Sequence, residues 1–103
     1  MISDKTKGII EALKEKTSGN EAHWNKAEGE DAYQLMLDNG IIVLDKYWNA
    51  EQNNYGILFK IYNTSEEEIE HLQVEEDDNE SDFNILEELY EEITNYYNQN
   101  YDE

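Results

Sequence analysis

The sequence predicts an α+β domain: an N-terminal helix, an antiparallel β-meander of three to five strands, and a C-terminal acidic helix packed on the sheet. Apolar residues recur at helical spacing near both ends of the chain, and they alternate with other residues in the middle. The pair Asn39-Gly40 separates two alternating segments and is a strong hairpin signal. The 103 residues suit a single domain, 1–103, in which we expect residues 98–103 to form a frayed acidic tail.

The first helix is predicted over residues 3–16. Ser3 is a suitable N-cap, and Lys16 lies in the last turn, where a cation complements the helix dipole. The sequence Ser-Gly-Asn at residues 18–20 ends the helical pattern. The apolar stripe of this helix comprises Ile2, Ile9, Ile10 and Leu13.

The central hairpin is predicted to close through a type I′ turn at Asn39-Gly40, because that turn needs two residues that tolerate positive φ. This turn would pair Leu37 with Ile42 and Leu35 with Leu44. The inward face would carry Tyr33, Leu35, Leu37, Ile42, Leu44 and Trp48. The other face carries Met36, Ile41 and Val43, so it is not cleanly polar, and we leave open whether it pairs two copies of the chain.

Further strands are predicted on both sides of this hairpin. Residues 55–62 alternate with period two, residues 69–74 form a weaker strand, and a short strand is possible near residues 23–27.

The C-terminal part is predicted to contain a charged linker over residues 75–82 and a helix from about Phe83 to Tyr97. Asp82 lies at the positive end of the helix dipole. The inner face of the helix is expected to comprise Phe83, Leu86, Leu89, Tyr90, Ile93, Tyr96 and Tyr97.

The charge of the chain is concentrated in its last 43 residues. The formal net charge is −19; residues 1–60 hold 10 acids and 7 lysines, whereas residues 61–103 hold 16 acids and no base. Such a field repels nucleic acids and anionic membranes and attracts basic proteins. We therefore expect a basic protein partner, no direct binding to nucleic acid and no membrane association.

Signatures of catalysis are missing from the sequence. There is no cysteine, no arginine and no glycine-rich phosphate loop, and His23 and His71 stand apart from any spacing typical of a catalytic triad. We therefore expect a protein that is not an enzyme and uses no cofactor or metal. The longest apolar run, residues 40–44, is too short to span a bilayer, and we expect a cytoplasmic protein in a bacterial host cell.

One metal pattern needs separate consideration. Asp77, Asn79, Ser81 and Glu88 fall at positions 1, 3, 5 and 12 of a calcium-loop register. The glycine that the sharp turn requires at position 6 is replaced by Asp82. The sequence thus favours an acidic linker over a calcium site, but it leaves calcium binding open.

The candidate partner-binding residues are the carboxylates of the acidic half together with one aromatic residue. They are Glu66, Glu67, Glu70, Glu75, Glu76, Asp77, Asp78, Glu80, Asp82, Glu87, Glu88, Glu91, Glu92 and Tyr97. Eight tyrosines and two tryptophans exceed what a core of this size usually needs, so some of them are expected to be exposed. Such aromatics either anchor a protein interface or pack across the strands of the sheet.

A further pattern extends over most of residues 20–97. It comprises Trp24, Tyr33, Leu-Asp-Asn-Gly at 37–40, Phe-Lys-Ile-Tyr-Asn at 59–63, and Leu89-Tyr90. The pattern resembles that of short acidic α+β proteins of Gram-positive bacteria and their phages and mobile elements. In size and charge the chain is also similar to anti-CRISPR proteins and other DNA mimics. The resemblance implies a mobile-element setting and brings no catalytic residue.

These observations lead to one expected function and two alternatives. The chain is expected to be an acidic inhibitor that occupies the basic groove of a nucleic-acid-handling protein, such as a phage anti-defence protein. It is alternatively an immunity or antitoxin protein that neutralises a basic bacterial toxin. The third possibility is a regulatory interaction domain whose acidity serves solubility only.

Overall fold

The structure of the protein, a computed structural model, describes residues 2–29 and 31–101, and the fold within them is α+β as predicted. The described residues form two helices and five strands in the order α-β-β-β-β-β-α. The elements are α1 (Asp4–Ser18), β1 (Asn25–Lys26), β2 (Ala32–Leu37), β3 (Gly40–Asn49), β4 (Asn54–Asn63), β5 (Glu68–Glu75) and α2 (Glu80–Tyr101).

Helix α1 begins and ends with the caps that the sequence contains. The Ser3 side chain accepts a hydrogen bond from the Thr6 backbone N–H at 3.2 Å, which satisfies a donor of the first turn. Gly19 caps the other end by donating its N–H to the Glu15 carbonyl oxygen. The predicted helix is confirmed, and it continues two residues further, to Ser18.

The five strands form one antiparallel sheet in sequence order, β1-β2-β3-β4-β5. The predicted register of the central hairpin is wrong by two residues, because Leu37 pairs with Gly40 and Leu35 pairs with Ile42. The turn is therefore Asp38-Asn39, and neither residue has positive φ. The shift is an even number of residues, so each side chain keeps its predicted face.

Gly40 serves the contact between β3 and β4 instead of the turn. A Cβ atom at this position would overlap the carbonyl oxygen of Tyr62, which lies in the neighbouring strand. The glycine thus permits a close approach of two backbones, and this requirement explains why glycine occupies the first position of β3.

Both helices pack on one face of the sheet. Thr6 on α1 donates to Glu70 on β5, and Lys46 on β3 pairs with Glu87 on α2. The buried core between the helices and the sheet includes Ile10, Leu13, Trp24, Tyr33, Leu35, Ile42, Leu44, Ile57, Phe59, Phe83, Leu86, Leu89 and Ile93. Two residues predicted to face this core, Leu37 and Trp48, are 45% and 51% exposed, because they lie at strand ends outside the buried core.

Helix α2 begins earlier and ends later than predicted. Asn79 accepts a hydrogen bond from the Asp82 backbone N–H at 3.1 Å and so caps a helix that starts at Glu80. The predicted linker over residues 75–82 is therefore reduced to residues 76–79. Residues 98–101, predicted as part of a tail, belong to the helix; residues 102 and 103 lie outside the described residues.

The two helices run in the same direction, side by side. Near their beginnings, the Ile2 backbone N–H donates to the Asp82 carboxylate at 3.0 Å, and near their ends Asn100 donates to Asn20 at 3.2 Å. In the described part of the chain, no helix is both long and apolar enough to cross a membrane.

The sheet face opposite the helices is left uncovered by the described residues. Strand alternation places Ile41, Val43, Leu58 and Tyr62 on it, all partly buried by their neighbours, together with Met36, which is 63% exposed. We call these five residues the open sheet face. It is more apolar than the acidic surface of α2 that is described in the next subsection.

Candidate protein-binding surface

Eight of the predicted carboxylates follow one another along the loop before α2 and along the helix itself. We call them the acidic strip: Glu76, Asp77, Asp78, Glu80, Glu87, Glu88, Glu91 and Glu92. The opposite side of α2 packs in the core through Phe83, Leu86, Leu89 and Ile93. The packing of the helix therefore directs these carboxylates outward.

Two lysines neutralise part of the strip. Lys46 on β3 contacts Glu87 at 2.8 Å, and Lys14 on α1 contacts Glu88 at 2.8 Å. The hydrogen bond to Glu88 raises the pKa of the Lys14 ammonium, so this lysine stays charged through neutral pH. Six net negative charges remain on the strip.

The spacing of these charges can be compared with that of nucleic acids. From Glu80 to Glu92 the helix rises roughly 18 Å, and the loop before it extends the strip to roughly 25 Å. Averaged over that length, six net charges give a mean density of about one charge per 4 Å, close to that of one nucleic-acid strand (~3.4 Å) and far from that of a duplex (~1.7 Å). Four of the six lie between Glu76 and Glu80 and two lie at Glu91 and Glu92, because Glu87 and Glu88 are paired with lysines.

Asp82, a predicted partner-binding residue, has its side chain inside the molecule and is 4% exposed. Its carboxylate accepts hydrogen bonds from the Ile2 backbone N–H and from the Asn79 side-chain amide, both at 3.0 Å. These contacts join the start of α1 to the first turn of α2. Asp82 is thus a structural residue and contributes nothing to an exposed acidic surface.

Glu70 and Glu75 are also held by hydrogen bonds within the molecule. Glu70 accepts from the Thr6 hydroxyl at 2.7 Å, and Glu75 accepts from the Asn49 amide at 2.6 Å and the Tyr47 hydroxyl at 3.2 Å. Both carboxylates are partly buried. Their oxygens are therefore less available to a partner than those of the strip.

Glu66 and Glu67 are exposed, but they lie far from the strip. They belong to the turn between β4 and β5, whereas the strip begins at the other end of β5. At about 3.3 Å per residue, the strand separates the two ends by roughly 25 Å. Glu66 and Glu67 therefore do not continue the acidic strip along the surface.

The aromatic residue predicted for the site, Tyr97, is partly buried. Its ring packs edge-on against Tyr33 with the centroids 5.4 Å apart, and the Lys26 ammonium lies 5.6 Å from its centroid. Some of the tyrosines and tryptophans are expected to be exposed, but Trp24 is fully buried. Its indole N–H donates to the Thr17 hydroxyl at 2.9 Å.

The exposed aromatic residues lie elsewhere. Trp48 and Tyr55 face each other across β3 and β4 with ring centroids 4.9 Å apart, and they are 51% and 46% exposed. The sequence predicts that Trp48 lies on the face of β3 that is directed toward the helices, and this is correct. It does not predict the exposure of Trp48, which arises because the ten residues of β3 extend past the buried core.

The residues of the calcium register do not assemble into a site. Asn79 is engaged in capping α2, and among the described residues no group of three or more acidic or histidine side chains is arranged to hold a metal ion. His23 contacts the Tyr96 hydroxyl at 2.9 Å, and His71 contacts Glu68 at 2.8 Å.

Comparisons with known proteins give no match. No protein-family model matches the sequence, and neither a curated protein nor a solved structure is significantly similar to the chain.

Proposed function

We propose that this protein is a small non-enzymatic inhibitor that binds a basic nucleic-acid-handling protein by imitating the charge of a nucleic acid. The observation that carries the proposal is the acidic strip, which presents six net charges along the exposed side of α2 and its preceding loop. Partner proteins of this class hold phosphates with lysine and arginine side chains, and carboxylates pair with the same groups.

The mechanism is competitive. The strip occupies the groove that holds the backbone of the nucleic acid, so the two ligands exclude each other. The net charge of −19 draws a basic partner in over long range and raises the association rate, an effect that weakens as salt screens the field.

The mean charge density of the acidic strip limits the kind of nucleic-acid-binding groove that it can occupy. One charge per about 4 Å matches the phosphates of a single strand, and a duplex groove expects charge at roughly twice that density. We therefore infer a partner that holds one nucleic-acid strand, either single-stranded or as one strand of a larger complex.

Two biological settings use this same physics. A phage anti-defence protein of the anti-CRISPR type would act on a nuclease of the bacterial host, and an immunity or antitoxin protein would act on a toxin made by its own cell. The neighbouring genes distinguish these settings, because a toxin gene beside this one supports immunity and phage genes support anti-defence.

The proposal is tested by capture of partners from a nuclease-treated bacterial lysate with two matched variants of the protein. The first variant, Glu80→Gln/Glu91→Gln/Glu92→Gln, removes three charges from the strip. The control, Glu15→Gln/Glu28→Gln/Glu66→Gln, removes three charges from exposed positions elsewhere, so both variants have the same net charge.

The expected result is about tenfold weaker binding of the captured protein by the strip variant, since three exposed pairs contribute roughly 0.5 kcal/mol each. The control variant should bind within about twofold of the wild type, and all binding should weaken as salt rises. Equal binding by the two variants would show that the strip is not the interface.

A second candidate function is a regulatory interaction domain, and the open sheet face favours it. Ile41, Val43 and Tyr62 line a groove of about 260 Å³ on this face, and no described helix covers it. Binding through this surface would be insensitive to salt, and Val43→Lys would abolish it while the strip variant would not.

A further inference from the structure

We propose that Trp48 and Tyr55 form the aromatic anchor of the partner interface and receive an arginine side chain that otherwise stacks on a base. The inference rests on the proposed function and specifies the partner further. It assigns to one surface the two features by which single strands are recognised, a charged backbone and an exposed flat ring.

The pair is exposed in spite of its size. Rings of this kind are normally buried or partnered, yet Trp48 and Tyr55 keep about half of their surface in solvent at the ends of β3 and β4. Their centroids lie 4.9 Å apart with the ring planes at 71°, so each ring braces the other in an edge-to-face arrangement. A braced ring loses little entropy when a partner contacts it.

The acidic strip begins beside this pair. The Glu76 backbone N–H donates to the Tyr55 carbonyl oxygen at 3.0 Å, which places the first residue of the strip, one residue past the end of β5, beside Tyr55. Asp77 and Asp78 follow directly along the chain. An arginine stacked on the pair would therefore have carboxylates within reach of its N–H groups.

The molecule already binds a cation of its own in this way. The Lys46 ammonium lies 4.9 Å from the Tyr55 ring centroid and 5.7 Å from that of Tyr90, while its charge is paired with Glu87 at 2.8 Å. Aromatic face and carboxylate thus act together on an internal lysine, and the exposed surface of Trp48 offers the same combination to an external cation.

Arginine fits this surface better than lysine. Its guanidinium group is planar, stacks on aromatic rings and still donates sideways to carboxylates, whereas the lysine ammonium is a compact and strongly hydrated charge. Proteins that hold single strands use arginine planes to stack on unpaired bases. An exposed indole beside carboxylates presents such an arginine with a ring and charges in a similar arrangement.

The test compares two synthetic peptides of equal charge, (Arg-Gly-Gly)₅ and (Lys-Gly-Gly)₅, binding to the intact protein at low salt. Titration calorimetry measures the affinity of every variant for each peptide. In the wild type and in Tyr62→Leu, Trp48 fluorescence also reports contact directly, because the other tryptophan, Trp24, is fully buried. The variants are Trp48→Leu/Tyr55→Leu, and Tyr62→Leu as the matched aromatic control on the open sheet face. Thermal melting verifies that each variant is folded.

We expect the wild type and Tyr62→Leu to bind the arginine peptide about three- to fivefold more tightly than the lysine peptide, the preference that an exposed cation–π contact gives. Trp48→Leu/Tyr55→Leu should bind both peptides with the affinity of the lysine peptide. If the wild type binds both peptides equally and salt weakens both, the strip acts by charge alone and the anchor is refuted. If neither peptide binds, the proposed function itself is contradicted.

Discussion

The backbone N–H of Ile2 donates to the carboxylate of Asp82 at 3.0 Å, across 80 residues of sequence. This bond joins the start of α1 to the first turn of α2, and the same carboxylate accepts from the Asn79 amide that caps α2. One acid of the most acidic segment is thus turned inward to hold the helix layer together. Its neighbours Asp77, Asp78 and Glu80 remain on the surface.

Replacing Asp82 with alanine should lower the free energy of unfolding by about 2–4 kcal/mol. The substitution removes two hydrogen bonds to a charged group and leaves the Ile2 N–H without its buried partner. Urea denaturation measures the effect, and the exposed Asp78→Ala is the control, expected within about 0.5 kcal/mol of the wild type. Equal stabilities for the two variants would contradict a structural role for Asp82.

Two glycine substitutions should have opposite effects. Gly8 lies exposed inside α1 with open space where a side-chain carbon would project, so Gly8→Ala should stabilise the protein by roughly 0.5–1 kcal/mol. Gly40→Ala should destabilise it by about 1–3 kcal/mol or more, because the added methyl group overlaps the Tyr62 carbonyl oxygen. If Gly40→Ala has the same melting temperature as the wild type, the proposed close approach of the β3 and β4 backbones at Gly40 is contradicted.

The pH dependence of stability should reveal Asp45. Burial and the nearby Asp31 raise the pKa of its carboxyl above the ordinary 3.8, with Lys60 acting in the opposite direction. The folded state therefore binds the Asp45 proton more tightly than the unfolded state does. As pH rises above 3.8, ionisation of this carboxyl lowers the stability of the folded protein.

It follows that Asp45→Asn should be more stable than the wild type at pH 7, and that the difference should shrink to nothing below pH 3.8. Parallel denaturation curves at several pH values measure this, with the exposed Asp38→Asn as the control. If the wild type is more stable than Asp45→Asn at pH 7, the stability difference has the opposite sign and the expectation is contradicted.

Added salt should stabilise the fold. The net charge of −19 repels itself, and this repulsion outweighs the attraction in surface ion pairs such as Lys14–Glu88. Between 20 mM and 500 mM sodium chloride the melting temperature should rise, by roughly 4–8 °C for each kcal/mol of repulsion removed. A melting temperature that falls with salt would mean that the ion pairs dominate.

Most of the fold is predictable because it depends on local patterns. Ser3 caps α1 as expected, and the alternation along residues 33–48 and 55–61 assigns the apolar side chains of the strands to their correct faces. The hairpin register is not predictable in this way, because Gly40 is required by a contact with Tyr62 more than twenty residues away. The predicted start of α2 is late because the pattern of apolar residues does not reveal Asn79 as its cap.

The candidate site is less predictable than the fold. Every carboxylate of the acidic half looks alike in the sequence, yet Asp82 is buried, Glu75 is bound by Asn49, and Glu67 lies at the far end of β5. The exposure of Trp48 also depends on how far β3 extends past the buried core, which no periodicity reveals. Charge identifies the class of surface, and tertiary contacts select its members.

Nucleic-acid mimicry by the acidic strip is tested by competition for a captured partner. The protein is immobilised and loaded from a nuclease-treated bacterial lysate. Single-stranded or duplex oligonucleotides of equal phosphate concentration are then added in two series, one at low and one at high salt. We predict that the single-stranded oligonucleotide releases the partner at lower concentration than the duplex does. A partner retained against both oligonucleotides, at low and at high salt, would contradict nucleic-acid mimicry by the acidic strip.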